Sequence, residues 1–218
     1  MRVEIWSDIA CPWCYVGKRR FEAALREFEH AADVDVVWRS FELDPGAPRT
    51  REGSQHEHLA AKYGMPVERA RAMNERMKGE GEKEGIDFRF DRVRMGNTFD
   101  AHRLVHLAAE SGKADAMKER LMRAYFTEGE AIGDPDALAR LAADVGLDAS
   151  GAREALAGDA YAAEVRADEE RARSFGISGV PFFAIDERHG VSGAQTPDVL
   201  LGALRQAYEE SEATQAGG

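Results

Sequence analysis

Apolar residues gather in two short runs near the start of the chain and one near its end, with a long stretch of helical periodicity between them. Val3 to Ser7 (VEIWS) carries apolar residues on both faces and reads as a first strand. Phe21, Ala24, Leu25 and Phe28 then recur at helical spacing, which predicts a helix over Tyr15 to Phe28. Val34 to Leu43 (VDVVWRSFEL), rich in β-branched and aromatic residues, predicts a second strand, ended by the turn Asp44-Pro45-Gly46-Ala47-Pro48. A strand, a helix and a strand in that order predict parallel pairing with a right-handed crossover.

From Ser54 to Phe175 the pattern is helical, with no long strand. It predicts helices over Gln55–Tyr63, Pro66–Lys83, Thr98–Ser111, Ala114–Thr127, Pro135–Val145, Ala149–Leu156 and Ala160–Phe175, with a short apolar break at Gly85–Phe90. The charge run in Pro66–Lys83 reads as a solvated face, with a partner surface as the alternative. Strand signals return in Val180–Ile185 and Val191–Gly193, around a turn at Glu187–Gly190. Thr196-Pro197-Asp198 starts a last helix to Glu210, and the polar tail from Ser211 to Gly218 is expected to fray. The order is β-α-β, a helical block, then β-β-α. It predicts an α/β chain in which residues 1–53 and 176–218 form one domain and residues 54–175 are an inserted all-helical domain.

The only two cysteines stand together as Cys11-Pro12-Trp13-Cys14, between the first strand and the first helix. That is the layout of a thioredoxin-type redox site. Two intervening residues let both sulfurs reach one disulfide at a first helical turn, where partial positive charge and free N–H groups stabilise a thiolate. Pro12 suits that turn, because its missing N–H would have no partner there. Cys11 is expected to be the exposed nucleophile and Cys14 the more buried resolving thiol. Pro12 and Trp13 would tune the pair's potential, and Trp13 is also an exposed aromatic anchor for substrate. A zinc site would need two further ligands, and with no other cysteine only His102 and His106 share a helix face. The reading is therefore no metal and no cofactor beyond the redox-active cysteine pair, with a low-molecular-weight thiol as possible co-substrate. Asp8 reads as a cap for the helix start, with a proton acceptor for a thiol as its other role. Lys18 is expected at the surface. His102 and Arg103 fall opposite the Ala101, Leu104, Val105, Ala108 stripe and are expected to face away from the helical core.

With 218 residues the chain can bury a sizeable core, and a formal charge of −11 argues against nucleic acid as partner. No stretch is long enough to span a membrane. Met1 runs straight into strand-like alternation without a leader pattern, and two cysteines in a reducing compartment are more often catalytic than structural, so a cytoplasmic protein is expected. A homodimer is left open, because no heptad or sustained apolar surface specifies one.

A second signal is Gly179-Val180-Pro181, where a proline after a turn stands directly before a strand and X-Pro can be cis. Together with Ser7 to Gly17, Phe41-Glu42-Leu43, Asn97-Thr98, Ala101 to Leu104, Gly176 to Phe183 and Ser192 to Gln195, it makes the chain resemble the DsbA-like thioredoxin superfamily, and within it the FrnE-like disulfide oxidoreductases. The resemblance implies a thioredoxin fold interrupted by a helical insertion, and thiol–disulfide oxidation, reduction or isomerisation at Cys11 and Cys14 of a protein or small-molecule substrate. It implies that Pro181 faces the cysteine pair, that the Val180 backbone pairs with substrate, and that Asn97, His102 and Arg103 stand in the pocket. Some relatives carry a further cysteine pair near the C-terminus, which this chain lacks. Two other readings stay open. One is a glutathione-dependent isomerase or transferase acting on a small aromatic or polyketide-type molecule, like 2-hydroxychromene-2-carboxylate isomerase and the kappa-class glutathione transferases. These typically have serine at the position of Cys11. The other is a non-catalytic accessory or chaperone-like binding protein.

Overall fold

The first apolar run becomes a central strand of the sheet. The computed structural model describes the backbone of residues 1–216 and the side chains of residues 1–213. Strand β1 (Arg2–Ser7) pairs in parallel with β2 (Asp35–Ser40), and antiparallel on its other side with β3 (Phe182–Ile185). Strand β4 (His189–Ser192) closes the sheet in the order β2-β1-β3-β4. Its residues begin two positions earlier than the predicted strand.

Alternation along β1 and β3 sorts the two faces. Val3, Ile5, Phe183 and Ile185 turn into the main core with helices α1 (Pro12–Glu27) and α9 (Pro197–Ala216). Trp6, Phe182 and Ala184 turn the other way, onto Ala172 of helix α8 (Ala162–Ser174) and Ile177. On that second face the Trp6 indole N–H donates to the Asp168 carbonyl at 2.9 Å, and buried Glu4 is held by Arg39 and Arg171. Both faces are covered, which is why β1 is apolar on both sides.

The insertion supplies α2 (Gln55–Tyr63), α3 (Val67–Lys83), α4 (Phe99–Ala109), α5 (Ala114–Arg123), α6 (Pro135–Asp144), α7 (Ala149–Ala157) and α8. Ser54 opens α2 with a capping box to Glu57, and Asp134 and Asp148 cap α6 and α7 through their side chains. The predicted helix over Ala114–Thr127 is instead α5 followed by one π turn, Ala124–Glu128, ended by Gly129 at φ 74°. A single apolar core runs without a break from Val3 and Ile5 through Leu104, Met122 and Phe126 to Leu204. The insertion therefore packs into the same core as the sheet.

Three expectations about exposure are corrected by this packing. Lys18 is buried, because α5 lies over it and offers Asp115 and Glu119 beside its own Glu22. His102 and Arg103 are buried too, since α4 is enclosed on several sides by α5, α6, α7 and α8. The tail does not fray at Ser211. Helix α9 continues to Ala216, and the last two residues of the predicted frayed end lie outside the described residues.

Candidate active site

Cys11 is the N-cap of α1, with extended backbone (φ −97°, ψ 113°), and its carbonyl accepts from the Cys14 N–H at 3.0 Å. Pro12 occupies the first turn as expected. As N-cap, Cys11 stands at the partial positive charge of the helix N-terminus, which favours its thiolate. Both cysteines are largely enclosed, Cys11 at 5% exposure and Cys14 at 1%. Their division of labour comes from position: Cys11 opens onto a cleft that Cys14 does not reach. Burial, together with the neighbouring Cys11 sulfur, pushes the Cys14 pKa well above the ordinary thiol value.

On the far side of the pair, the Val180-Pro181 peptide is cis and Pro181 is buried. The Cys11 thiol donates to the Val180 carbonyl at 3.8 Å. Gly17 permits this approach. A Cβ there would stand 2.8 Å from Pro181 Cγ, so a side chain on the second turn of α1 would push the proline loop away from the cysteines.

Asp8 does not cap α1, which has no side-chain cap. Its carboxylate turns inward, where Oδ2 accepts from the Leu43 N–H at 2.8 Å and Oδ1 meets His102 Nε2 at 3.4 Å. Burial works to raise the Asp8 pKa, but the bonds from His102, Leu43 and Thr98 overcome it and hold the carboxyl below its ordinary value. An ionised Asp8 can only accept, which assigns the Nε2–H tautomer to His102. Burial, with the neighbouring Lys118 cation, holds the imidazole below its ordinary pKa, and its Nδ1 is buried without a partner.

Lys118 was not singled out by the sequence, and it is a buried cation that acts electrostatically on both cysteines. It is 0% exposed, its Nζ donates to the Ser7 carbonyl at 3.0 Å, and it lies 5.7 Å from the centre of the Trp38 ring. It makes no ion pair among the described residues. Cys14, Asp8, Asp168 and Cys11 all act on it electrostatically, yet burial outweighs them and lowers its pKa to about 8. The legible signal was a lysine inside the apolar stripe Met117, Leu121, Met122.

The cleft has a volume of about 640 Å³ and opens between the Cys11–Trp13 turn, the loop after β2, helices α2 and α3, and the loop through Gly96. Pro12 and Trp13 line it, with Trp13 45% exposed. Leu59, Met73 and Met77 form its helical wall, and Tyr125, brought in by the π turn, adds to its lining. The charge run of α3 is solvated on its outer face, as expected, while its methionines turn to the cleft. A buried Asn74 amide fixes the two helices by donating to Gln55 Oε1 at 2.6 Å.

The remaining predicted pocket residues do other work. Asn97 lies off the cleft between Gly96 and Thr98, which line it. Its Oδ1 accepts from the Phe99 N–H at 2.8 Å and its amide donates to Glu42, so it shapes the start of α4. Arg103 also lies off the cleft. Its guanidinium is spent on the carbonyls of Ala155, Leu156, Gly158 (2.7 Å) and Ala160 (2.7 Å), and on Asp100 at 2.8 Å, tying α4 to the end of α7. His106 bonds Asp168 and Ser40 rather than sharing a ligand set with His102.

A family model described as a DSBA-like thioredoxin domain matches residues 2–205. The chain belongs to the DsbA-like thioredoxin family. Membership supports disulfide oxidoreduction in general. Among its relatives, uncharacterized protein YwbO of Bacillus subtilis (strain 168) is 31% identical over 206 residues, covering 94% of this chain and 96% of YwbO. A solved structure of a probable DsbA oxidoreductase from Streptomyces coelicolor is 48% identical with a TM-score of 0.92, covering 96% of this chain and 91% of that one. The cytosolic disulfide reductase DsbM of Pseudomonas aeruginosa, solved with GSH, shares the fold at 20% identity and a TM-score of 0.68, covering 96% of this chain and all (100%) of that one. Among the described residues, no helix is long and apolar enough to cross a membrane.

Proposed function

We propose that this chain is a dithiol–disulfide oxidoreductase that works through a mixed disulfide on Cys11. The observation that carries the reading is the arrangement of the two thiols: Cys11 faces the cleft at a helix N-terminus, with Cys14 buried one helical turn behind it and closed off from the cleft. In the reductive direction the Cys11 thiolate attacks a substrate disulfide and one substrate thiolate leaves. Cys14 then attacks Cys11 Sγ, releases the second substrate thiolate and forms the Cys11–Cys14 disulfide. The reverse sequence oxidises a dithiol, and the direction is set by the potential of the pair against its partner pool. Lys118 supports the second step by placing positive charge where the Cys14 thiolate forms, opposing the burial that raises its pKa. A chain with two cysteines suits a reducing compartment, as does the cytosolic reductase that shares its fold.

The test is equilibration of the full chain in graded thiol/disulfide buffers, followed by trapping of free thiols. A reversible two-electron transition is expected, and Cys14→Ser should accumulate a mixed disulfide on Cys11. Thiols that never pair across the range, or full activity in Cys11→Ser, overturn the reading and leave the isomerase and binding-protein alternatives.

A further inference from the structure

We propose that the cleft beside Cys11 takes a low-molecular-weight disulfide with an apolar body and a carboxylate, the carboxylate being held by Lys62 and Arg76. This rests on the dithiol reading above and names its substrate class.

The apolar part follows from the distribution of exposed side chains. Six large apolar side chains are exposed among the described residues, and four of them, Trp13, Leu43, Tyr63 and Met73, line this cleft. Exposed apolar side chains gathered at one site mark binding rather than chance. A volume of about 640 Å³ falls in the range of small-molecule sites. The methionine and tyrosine walls come from α2, α3 and the π turn, so the site is a concave pocket rather than a flat face on which a folded protein would dock.

The charge follows from which groups at the cleft are already satisfied. Asp44 is paired with Arg51 at 2.9 Å, and that arginine also contacts His58. Glu80 is taken by Arg20 and Lys83. Asp8 is occupied by the Leu43 N–H and His102. His58 is held below its ordinary pKa by burial and by Arg51, so it adds no charge near neutral pH. Lys62 and Arg76 are left. Lys62 Nζ lies 5.9 Å from the Tyr63 ring, and Arg76 Nε donates only to the Ala72 carbonyl of its own helix at 3.4 Å. Neither has a carboxylate partner among the described residues, and both line the cleft. The chain as a whole carries −11 and repels anions, and Lys62 and Arg76 are the cations lining the cleft that no carboxylate of the described residues neutralises.

The chemistry is that of the pair. Reduced Cys11 and Cys14 supply two electrons, the substrate S–S bond breaks, two substrate thiolates leave and the Cys11–Cys14 disulfide forms. An external dithiol such as dithiothreitol restores the reduced enzyme.

A single-turnover experiment needs no recycling reductant. The reduced full chain is mixed with dithiobis(nitrobenzoate) or with its neutral bis-carboxamide, and each rate is divided by the rate of the same probe with free dithiothreitol. The expected result is about a tenfold preference for the carboxylate, the size of two partly exposed charge contacts, declining as salt is raised. In Lys62→Gln/Arg76→Gln the ratio should fall to about one. Equal normalised rates, a preference for the carboxamide, or a faster reaction with a peptide disulfide overturns the anion assignment while the dithiol reading stands. Failure of the reduced chain to form a Cys11–Cys14 disulfide with any probe overturns both.

Discussion

Replacing Lys118 with methionine should make the protein more stable and a poorer catalyst. The ammonium has no exposed surface and a single hydrogen bond, to the Ser7 carbonyl. Its pKa falls from 10.5 to about 8. That fall corresponds to about 3 kcal/mol by which burial penalises the charged form near neutral pH. Methionine removes this penalty and leaves the Ser7 carbonyl without its partner, a loss of about 1 kcal/mol. The net gain of about 2 kcal/mol should raise the melting temperature by about 4–8 °C in a chain of this size. The pH dependence gives the sharper check. A group whose folded pKa is lowered withholds stability below its folded value and restores it as pH rises to the unfolded value. Wild type should therefore gain on the variant between pH 8 and 10.5, cancel the variant's lead and end about 1 kcal/mol ahead at the top of that window, where only the lost Ser7 hydrogen bond separates the two. Buried Tyr15 and Tyr125, both raised by burial, cost stability above about pH 10 in either protein and cancel in the comparison. Paired thermal melts from pH 6 to about 11 measure the gap. A variant less stable than wild type at pH 7, or a gap that persists unchanged at high pH, refutes the reasoning. Without the cation facing Cys14, release of substrate from the Cys11 mixed disulfide should also slow in quench-flow trapping.

Arg103→Met should destabilise the fold by about 2–4 kcal/mol, because it takes the donor from the carbonyls of Ala155, Leu156, Gly158 and Ala160 and leaves partly buried Asp100 with Arg49 alone. Its kcat/KM at a permissive temperature should stay at the wild-type value, and a specific loss of kcat/KM without loss of thermal stability would mean that Arg103 meets substrate after all. Gly17→Ala should cost about 1–3 kcal/mol through the clash with Pro181 and should lower the single-turnover rate, read by chemical denaturation and stopped flow. Asp8→Asn should be less stable than wild type at neutral pH. Because the folded Asp8 pKa lies below its ordinary 3.8, wild type holds that advantage above about pH 4 and loses it as pH falls further, so the two melting curves should converge in acid.

The parts of the site that were legible in the sequence are those whose meaning is local. Cys11-Pro12-Trp13-Cys14 needs only its position between strand and helix. Helical periodicity also placed the bounds of α2 to α8 within a few residues. It reports which face of a helix is apolar, and it is silent about what will cover the polar face. Lys18, His102 and Arg103 were expected outside because each stands off its own apolar stripe. Lys18 and Arg103 are buried because another helix lies over each and brings carboxylates or helix-end carbonyls to match, and His102 is met by Asp8 from the turn after β1. Lys118 was the reverse case, a charge within an apolar stripe, where the local pattern did carry a signal. Tyr125 reaches the cleft only because the end of α5 widens into a π turn, a change in hydrogen bonding that side-chain periodicity does not encode.

The pairing of β1 with β3 also sets a clock for biosynthesis. The cysteines leave the ribosome roughly 170 residues ahead of Val180, Pro181 and the strand that flanks β1. At ordinary synthesis rates the interval is roughly ten to thirty seconds. Throughout it the thiol pair exists without the proline loop and without the second neighbour of its own strand. The nascent chain thus carries reactive cysteines before it carries an active site, and how it is kept reduced during that interval is part of how the enzyme is made.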